Sequence, residues 1–285
     1  MEPQVESEGS DPEDILSTSL QTIYGYQPIT HSSGGSLFTY NGISKVLAPL
    51  TITLRTPDTQ PANWSLHASS IWVSSLFLAD HLEDLHLDQY VNNSPPQRVR
   101  VLELGAAAGL PGILIAKIYE QVLVTVSDYP DEKLIQTLSE NVARNGVSDN
   151  CRVVPYAWGS DASAFSGDKD VGFDVIVAAD TLWNPESHSL FVQTLKITLK
   201  KSADARIHLV AGLHTGRYTL QSFLDVVGGT GFDTESVLEK EVNGEEERAW
   251  SVSRAEHEDE RERRRWVVWI SLRWKLAPSG NILEI

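Results

Sequence analysis

From residue 99 onward the chain alternates between two hydrophobic rhythms. Short continuous apolar runs at 99–104, 122–127, 151–155, 173–179 and 206–212 predict strands buried on both faces. Between them, apolar positions three and four apart near 111–119, 131–145, 186–200 and 217–229 predict helices. Strict alternation of the two predicts five parallel strands in one sheet, covered by helices on both faces. After residue 229 the rhythm changes: FDTESVLEKEV and RWVVWISLRWK are strand-like with no helix between them, so they are expected to pair antiparallel. The charged segment around 243–265 joins them, and its mixed-sign run RAEHEDERERRR reads as a solvated loop or helical arm.

Upstream the pattern is weaker. Residues 1–14, MEPQVESEGSDPED, are polar and acidic and read as a disordered tail. Residues 15–65 form an N-terminal extension in which SLFTYNGISKVLAPLTITL pairs two strand-like runs, with Asn41-Gly42 expected as the hairpin turn. From Leu66 to Leu85, the residues Ile71, Trp72, Leu76, Leu78, Ala79, Leu82 and Leu85 recur at helical spacing and predict one helix ahead of the break NNSPPQ. The main domain is expected to span 66–285.

Composition narrows the function classes. A chain of 285 residues with 41% hydrophobic and 22% charged residues fits one sizeable globular domain with appendages. No apolar run reaches membrane-spanning length and the acidic start lacks the pattern of a secretory signal, so a cytoplasmic location without membrane association is expected. The single cysteine, Cys151, excludes an internal disulfide and a cysteine-rich metal site, and reads as a small buried hydrophobe at the start of a strand. A net charge of −16 argues against a nucleic-acid partner and is compatible with a cationic one, or with a surplus that only keeps the protein soluble.

The chemistry is concentrated after the first parallel strand. Gly105, Gly109 and Gly112 do not have the spacing of the dinucleotide fingerprint, which argues against a nicotinamide or flavin enzyme. The register Glu103-Leu104-Gly105-Ala106-Ala107-Ala108-Gly109 resembles instead the E-x-G-x-G-x-G loop of class I S-adenosylmethionine (SAM) methyltransferases, with Ala107 at the middle glycine. A methyl group there is accommodated if φ is negative and the side chain points away, and the neighbouring alanines favour accommodation without strain. Asp128 ends the second strand about twenty residues further on, where a carboxylate accepts ribose hydroxyls. Its competing role is to open the turn before Pro130. Trp158 either stacks on an adenine or simply packs.

The segments IWVSSLFLADHL, VLELGAAAGLPG, VSDYPDEKLIQTLSENVARN, YAWG and FDVIVAADTLWNPESH together resemble the family 16 class I methyltransferases. These are mainly protein-lysine enzymes and include fungal proteins labelled nicotinamide N-methyltransferase-like. The resemblance implies an α/β fold: a Rossmann-like seven-stranded methyltransferase sheet with helices on both faces, here with a small N-terminal β-hairpin extension. It implies a SAM site lined by Trp72, Gly105, Ala106, Ala107, Gly109, Asp128, Tyr129, Trp158 and Ala179, with Glu103 beneath the methionine end and no metal. Asp180 takes the position of the aspartate in the family's D-x-x-Y or D-x-x-F motif, with Trp183 at its aromatic position, and both are implied at the acceptor. Tryptophan keeps an aromatic face for a cationic amine but has no phenolic hydroxyl. His188, at the start of a predicted surface helix, reads as solvated, with proton acceptor as the competing role; His214 falls after the fifth strand at the ligand edge. The activity implied is SAM-dependent N-methyl transfer to lysine on a basic cytosolic protein such as a translation factor. Small-molecule N-methylation of the nicotinamide type and a catalytically silent SAM-fold interaction protein are the alternatives.

Overall fold

The computed structural model describes residues 28–42, 50–93, 98–165, 172–277 and 282–283. The acidic segment 1–14 lies outside the described residues. The five expected parallel strands are β5 (Arg100–Leu104), β6 (Leu123–Asp128), β7 (Cys151–Pro155), β8 (Val175–Ala179) and β9 (Arg206–Gly212). The helices between them are α3 (Leu110–Ile118), α4 (Glu132–Arg144), α5 (His188–Thr198) and α6 (Arg217–Gly228), the last following β9. The closing pair, β10 (Phe232–Glu241) and β12 (Trp266–Trp274), runs antiparallel, and β12 inserts between β10 and β9. An eighth strand, β11 (Glu247–Ala249), comes from the charged connection and pairs with the outer edge of β10. The order β11-β10-β12-β9-β8-β5-β6-β7 contains the expected seven strands and adds this short edge.

Both faces of the sheet are buried, and alternate residues serve opposite layers. Val101, Val175 and Val177 face the layer that includes α3 and α4. Leu102, Ile176 and Ala178 face the layer of α5 and α6. This explains why the strands read as continuous apolar runs instead of an alternating pattern. Strand order reverses between β5 and β8: β6 and β7 lie to one side, β9 to the other. Such a reversal leaves a crevice at the carboxyl ends of the strands, between loops that leave in opposite directions.

The N-terminal region differs from expectation in two places. A hairpin does form, from β2 (Leu37–Gly42) and β3 (Leu50–Arg55), but Asn41 and Gly42 pair with Thr51 and Leu50 inside its ladder, and neither has a positive φ. Residues 43–49, which join the two strands, lie outside the described residues. The hairpin is fastened to α4: Asn141 Oδ1 accepts from Arg55 N–H at 2.8 Å, and Asn145 Oδ1 accepts from Thr53 N–H at 3.0 Å.

The expected helix from Leu66 to Leu85 is broken. A 3-10 turn at Pro61–Leu66 ends at His67, whose φ of 53° is left-handed. Ile71–Trp72 is a strand, β4, paired with β1 (Thr30–His31), and only Val73–Asp80 is α-helix, α1. Pairing with β1 and the Trp72 indole N–H bond to the His67 carbonyl, at 2.8 Å, hold this stretch extended against its helical periodicity. A further helix, α2 (Leu87–Asn93), follows a 3-10 turn at Leu82–Leu85, and the last, α7 (Glu260–Arg264), lies in the charged connection.

Candidate active site

At the strand-order reversal lies a cleft of about 400 Å³. It brings together twelve of the residues named from the sequence: Trp72, Glu103, Gly105, Ala106, Ala107, Gly109, Asp128, Tyr129, Trp158, Ala179, Asp180 and Trp183 all line it. The floor is the loop between β5 and α3. Several of its backbone donors are committed: Ala106 N–H bonds the Ser127 carbonyl at 3.1 Å and Gly109 N–H bonds the Ala106 carbonyl at 2.6 Å. Ala107 N–H bonds Asp128 Oδ2 at 2.6 Å. At the start of α3, Pro111 has no N–H, and Gly112 N–H bonds Glu103 Oε2 at 2.9 Å. The N–H groups of Ala106, Ala107, Gly109 and Gly112 are therefore taken, and no lysine or arginine is among the cleft's lining residues.

Gly105 and Gly112 are required for contact. A Cβ on Gly105 would lie 2.6 Å from Thr181 Cγ2, and on Gly112 2.4 Å from Val126 Cγ1 and 2.5 Å from Glu103 Oε2. Ala107 departs from expectation. Its φ is +47°, so it occupies the left-handed region that favours glycine, at a strain of about 1–2 kcal/mol. The negative φ under which the alanine fits freely is not adopted. Asp180 at +54° and His67 at +53° share this conformation. Three of the five non-glycine residues with positive φ among the described residues thus line the cleft. Such strain persists only where the surroundings impose it, and it gathers at functional sites.

Three buried carboxyls face the cleft without a guanidinium or ammonium beside them. Burial pushes Glu103 up to about 8; the Gly112 N–H bond opposes that shift and the charge of Asp128 adds to it. Burial likewise pushes Asp128 up to about 6, against the hydrogen bonds from Ala107 and from Tyr129 N–H at 2.6 Å. Each Asp128 oxygen accepts one backbone N–H and keeps a lone pair for a ligand. Asp180 is raised by burial, and the charge of His214, the Gly212 N–H bond and the Ser74 hydroxyl pull the other way. Gly212 N–H reaches Asp180 Oδ1 and Ser74 Oγ reaches Oδ2, both at 3.0 Å.

Aromatic rings wall the Asp180 end. Trp183 meets the His67 ring edge-on, with centroids 4.9 Å apart. Trp72 stacks on His214 at 5.0 Å and 24°. Trp158 packs against Phe191 at 4.5 Å and also lines the cleft. Thr181 Oγ1 is buried beside Gly105 with no hydrogen-bond partner among the described residues.

His188 does not enter the cleft and is not solvated. It is 1% exposed, its Nε2 bonds the Leu182 carbonyl at 3.0 Å, and its Nδ1 lies 3.2 Å from Ser222 Oγ. Sequence reasoning missed Ser74, Thr181 and the cover formed by Ser65–Ala68. The cover depends on left-handed backbone at His67, which has no periodic signal. No group of three or more potential metal ligands occurs among the described residues.

A family model described as lysine methyltransferase matches residues 60–227. The protein N-terminal and lysine N-methyltransferase efm7 of Schizosaccharomyces pombe is 29% identical over 184 residues, covering 62% of this chain and 69% of that one. The protein of the same description from Gibberella zeae is 28% identical over 193 residues, covering 62% and 70%. Among solved structures, a SAM-dependent methyltransferase from Aquifex aeolicus aligns with a TM-score of 0.46 at 17% identity, over 71% of this chain and 93% of that one.

Proposed function

The chain belongs to the lysine methyltransferase family, and from that premise we propose that its cleft binds SAM and that the enzyme methylates a primary amine, lysine above all, on a basic protein. The observation that carries this reading is the cleft's acidic lining: Glu103, Asp128 and Asp180 face it, and no lysine or arginine does. A phosphate-bearing cofactor would meet three carboxyls, no lysine or arginine, and committed N–H groups at Ala106, Ala107, Gly109 and Gly112. SAM has no phosphate and carries a sulfonium, and the acceptor arrives as an ammonium, so both are favoured where opposing charge is partly desolvated. The fit extends to Asp128, whose free lone pairs suit ribose hydroxyls, and to the unpartnered Thr181 hydroxyl.

When bound, SAM supplies an activated methyl group, and the protein's part is placement. Glu103, Gly105, Ala106, Ala107, Gly109, Tyr129, Trp158 and Ala179 form the proposed cofactor half. Asp180, held by Gly212 and Ser74, points the acceptor amine, while Trp72 and Trp183 exclude water and offer ring faces to its charge. A basic cytosolic protein such as a translation factor is the proposed acceptor, met in the cytoplasm. The names of the relatives, which include protein N-terminal methylation, extend the reading to a terminal amine, chemically the same kind of acceptor.

The test uses purified protein with methyl-labelled SAM and three acceptors: a basic protein fraction, nicotinamide, or none. Label in protein, mapped to an amine by mass spectrometry, is expected. Label in nicotinamide alone would select the small-molecule alternative, and no label anywhere would select a silent binding protein.

A further inference from the structure

His214 is not among the cleft's lining residues, yet it stands directly behind the wall at Asp180. Its Nδ1 is 3.9 Å from Asp180 Oδ1, too long for a hydrogen bond and within reach of an ion pair. That Nδ1 is buried and has no hydrogen-bond partner among the described residues, while the side chain as a whole is 15% exposed. The ring stacks on Trp72, a face that favours a cation. Gly212, two residues earlier in the chain, donates to the same Asp180 oxygen, so the end of β9 sets both contacts.

We propose that His214 is the positioning residue of the acceptor half: it keeps Asp180 a carboxylate in front of the amine and receives, through Asp180, the proton that the ammonium must lose. This rests on the methyltransferase reading above. The acceptor arrives as R–NH3+. One N–H bond breaks, its electron pair stays on nitrogen, and the proton goes to the Asp180 carboxylate. Once the two side chains close from 3.9 Å to hydrogen-bond distance, the carboxyl passes it to His214 Nδ1, which becomes imidazolium and restores the carboxylate. The imidazolium then returns the proton to water through the exposed part of its ring. No oxidant or further reactant is needed.

The neighbours of Asp180 leave this route open. From α1 comes Ser74, a neutral hydroxyl; from β9, the Gly212 N–H; from β4, the uncharged Trp72. Trp183 meets the second imidazole, His67, edge-on, and Glu103 and Asp128 are the other carboxyl groups lining the cleft. His214 is thus the imidazole placed beside Asp180 itself.

The test compares the intact wild-type chain with His214→Asn and with His214→Lys, which keeps a cation beside Asp180. With carbon-13-labelled aspartate, the Asp180 carboxyl resonance, identified by its loss in Asp180→Asn, is followed against pH in the free protein. In His214→Asn its titration is expected to move to higher pH. The acid limb of kcat/KM should move the same way, kcat should fall at least tenfold, and calorimetric affinity for S-adenosylhomocysteine should stay within about twofold. His214→Lys is expected to return the carboxyl titration towards wild type. An unmoved Asp180 titration, or a uniform loss of rate with an unshifted limb, would overturn the role of His214 while leaving the methyltransferase reading intact. Failure of the wild type to bind S-adenosylhomocysteine or transfer a methyl group would overturn both.

Discussion

Glu239 and Glu103 are both buried glutamates, exposed by 0% and 2%, and their surroundings differ in kind. Glu239, on β10, is enclosed by guanidinium groups. Arg217 Nη1 lies 2.6 Å and Nη2 2.9 Å from its oxygens, Arg248 Nε lies at 2.8 Å and Arg254 Nη1 at 2.6 Å, while Arg217 also meets Glu258 at 2.8 Å. Burial alone would raise the Glu239 carboxyl, but Arg217 and Arg248 outweigh it and hold it below the ordinary glutamate range. Glu103 has one backbone N–H and no cation, and it is driven up to about 8. Asp128 and Asp180 follow Glu103. The difference is one of pairing: the Glu239 cluster ties α6 to the closing strands with its carboxylates ion-paired to guanidinium groups, whereas the cleft's carboxyls have no guanidinium or ammonium beside them among the described residues.

The largest effect should come from breaking the satisfied cluster. Arg217→Met leaves Glu239 and Glu258 buried with one fewer cation and should lower stability by about 3–5 kcal/mol, read from chemical denaturation. A loss under about 1 kcal/mol would mean that Arg248 and Arg254 suffice, and would erase the contrast. In the cleft, Asp128→Ala should cost roughly 2–4 kcal/mol of S-adenosylhomocysteine affinity through two lost charge-assisted bonds, measured by calorimetry. A change below about tenfold would place the ribose elsewhere.

Glu103 gives a test with a sign. Its folded value lies above its unfolded one, so its stabilising contribution is complete below pH 4.5 and is lost as pH rises towards 8. Glu103→Gln keeps an oxygen for Gly112 N–H and has nothing to ionise. Its stability relative to wild type should therefore improve between pH 5 and 8, by on the order of 2 kcal/mol at the upper end. Parallel stability curves over that range would show that Glu103 is ionised without cost. The smallest effect is expected at Ala107→Gly, which relieves the left-handed strain at φ +47° and loosens the unfolded chain, a net gain of about 1 kcal/mol in thermal unfolding. A loss of stability would mean that the alanine methyl is needed for packing.

Residues whose position follows from one strand or one loop were legible in the sequence. Glu103, Asp128 and Asp180 fall at or just beyond the carboxyl ends of β5, β6 and β8, and apolar runs alone locate those ends. The loop at Gly105–Gly109 is equally local. What stayed hidden depends on pairing between distant segments. Trp72 reads as helical, but Thr30, 42 residues away in the chain, holds it in a strand. Asn41-Gly42 has the composition of a turn, yet both residues are paired in the ladder, with Thr51 and Leu50. Arg217 looks like the first residue of a surface helix and is 1% exposed, because Glu258 and Arg254 from the supposedly solvated charged run close over it with Glu239. His188 was misread for the same reason, since α6 covers it through Ser222.

The most direct measurement is a pair of calorimetric titrations of the purified chain, one with S-adenosylhomocysteine and one with NAD. Unmatched carboxylates, committed loop N–H groups and the absence of lysine and arginine from the cleft's lining predict saturable one-to-one binding of S-adenosylhomocysteine and no binding of NAD. Saturable NAD binding with no heat from S-adenosylhomocysteine would contradict the account.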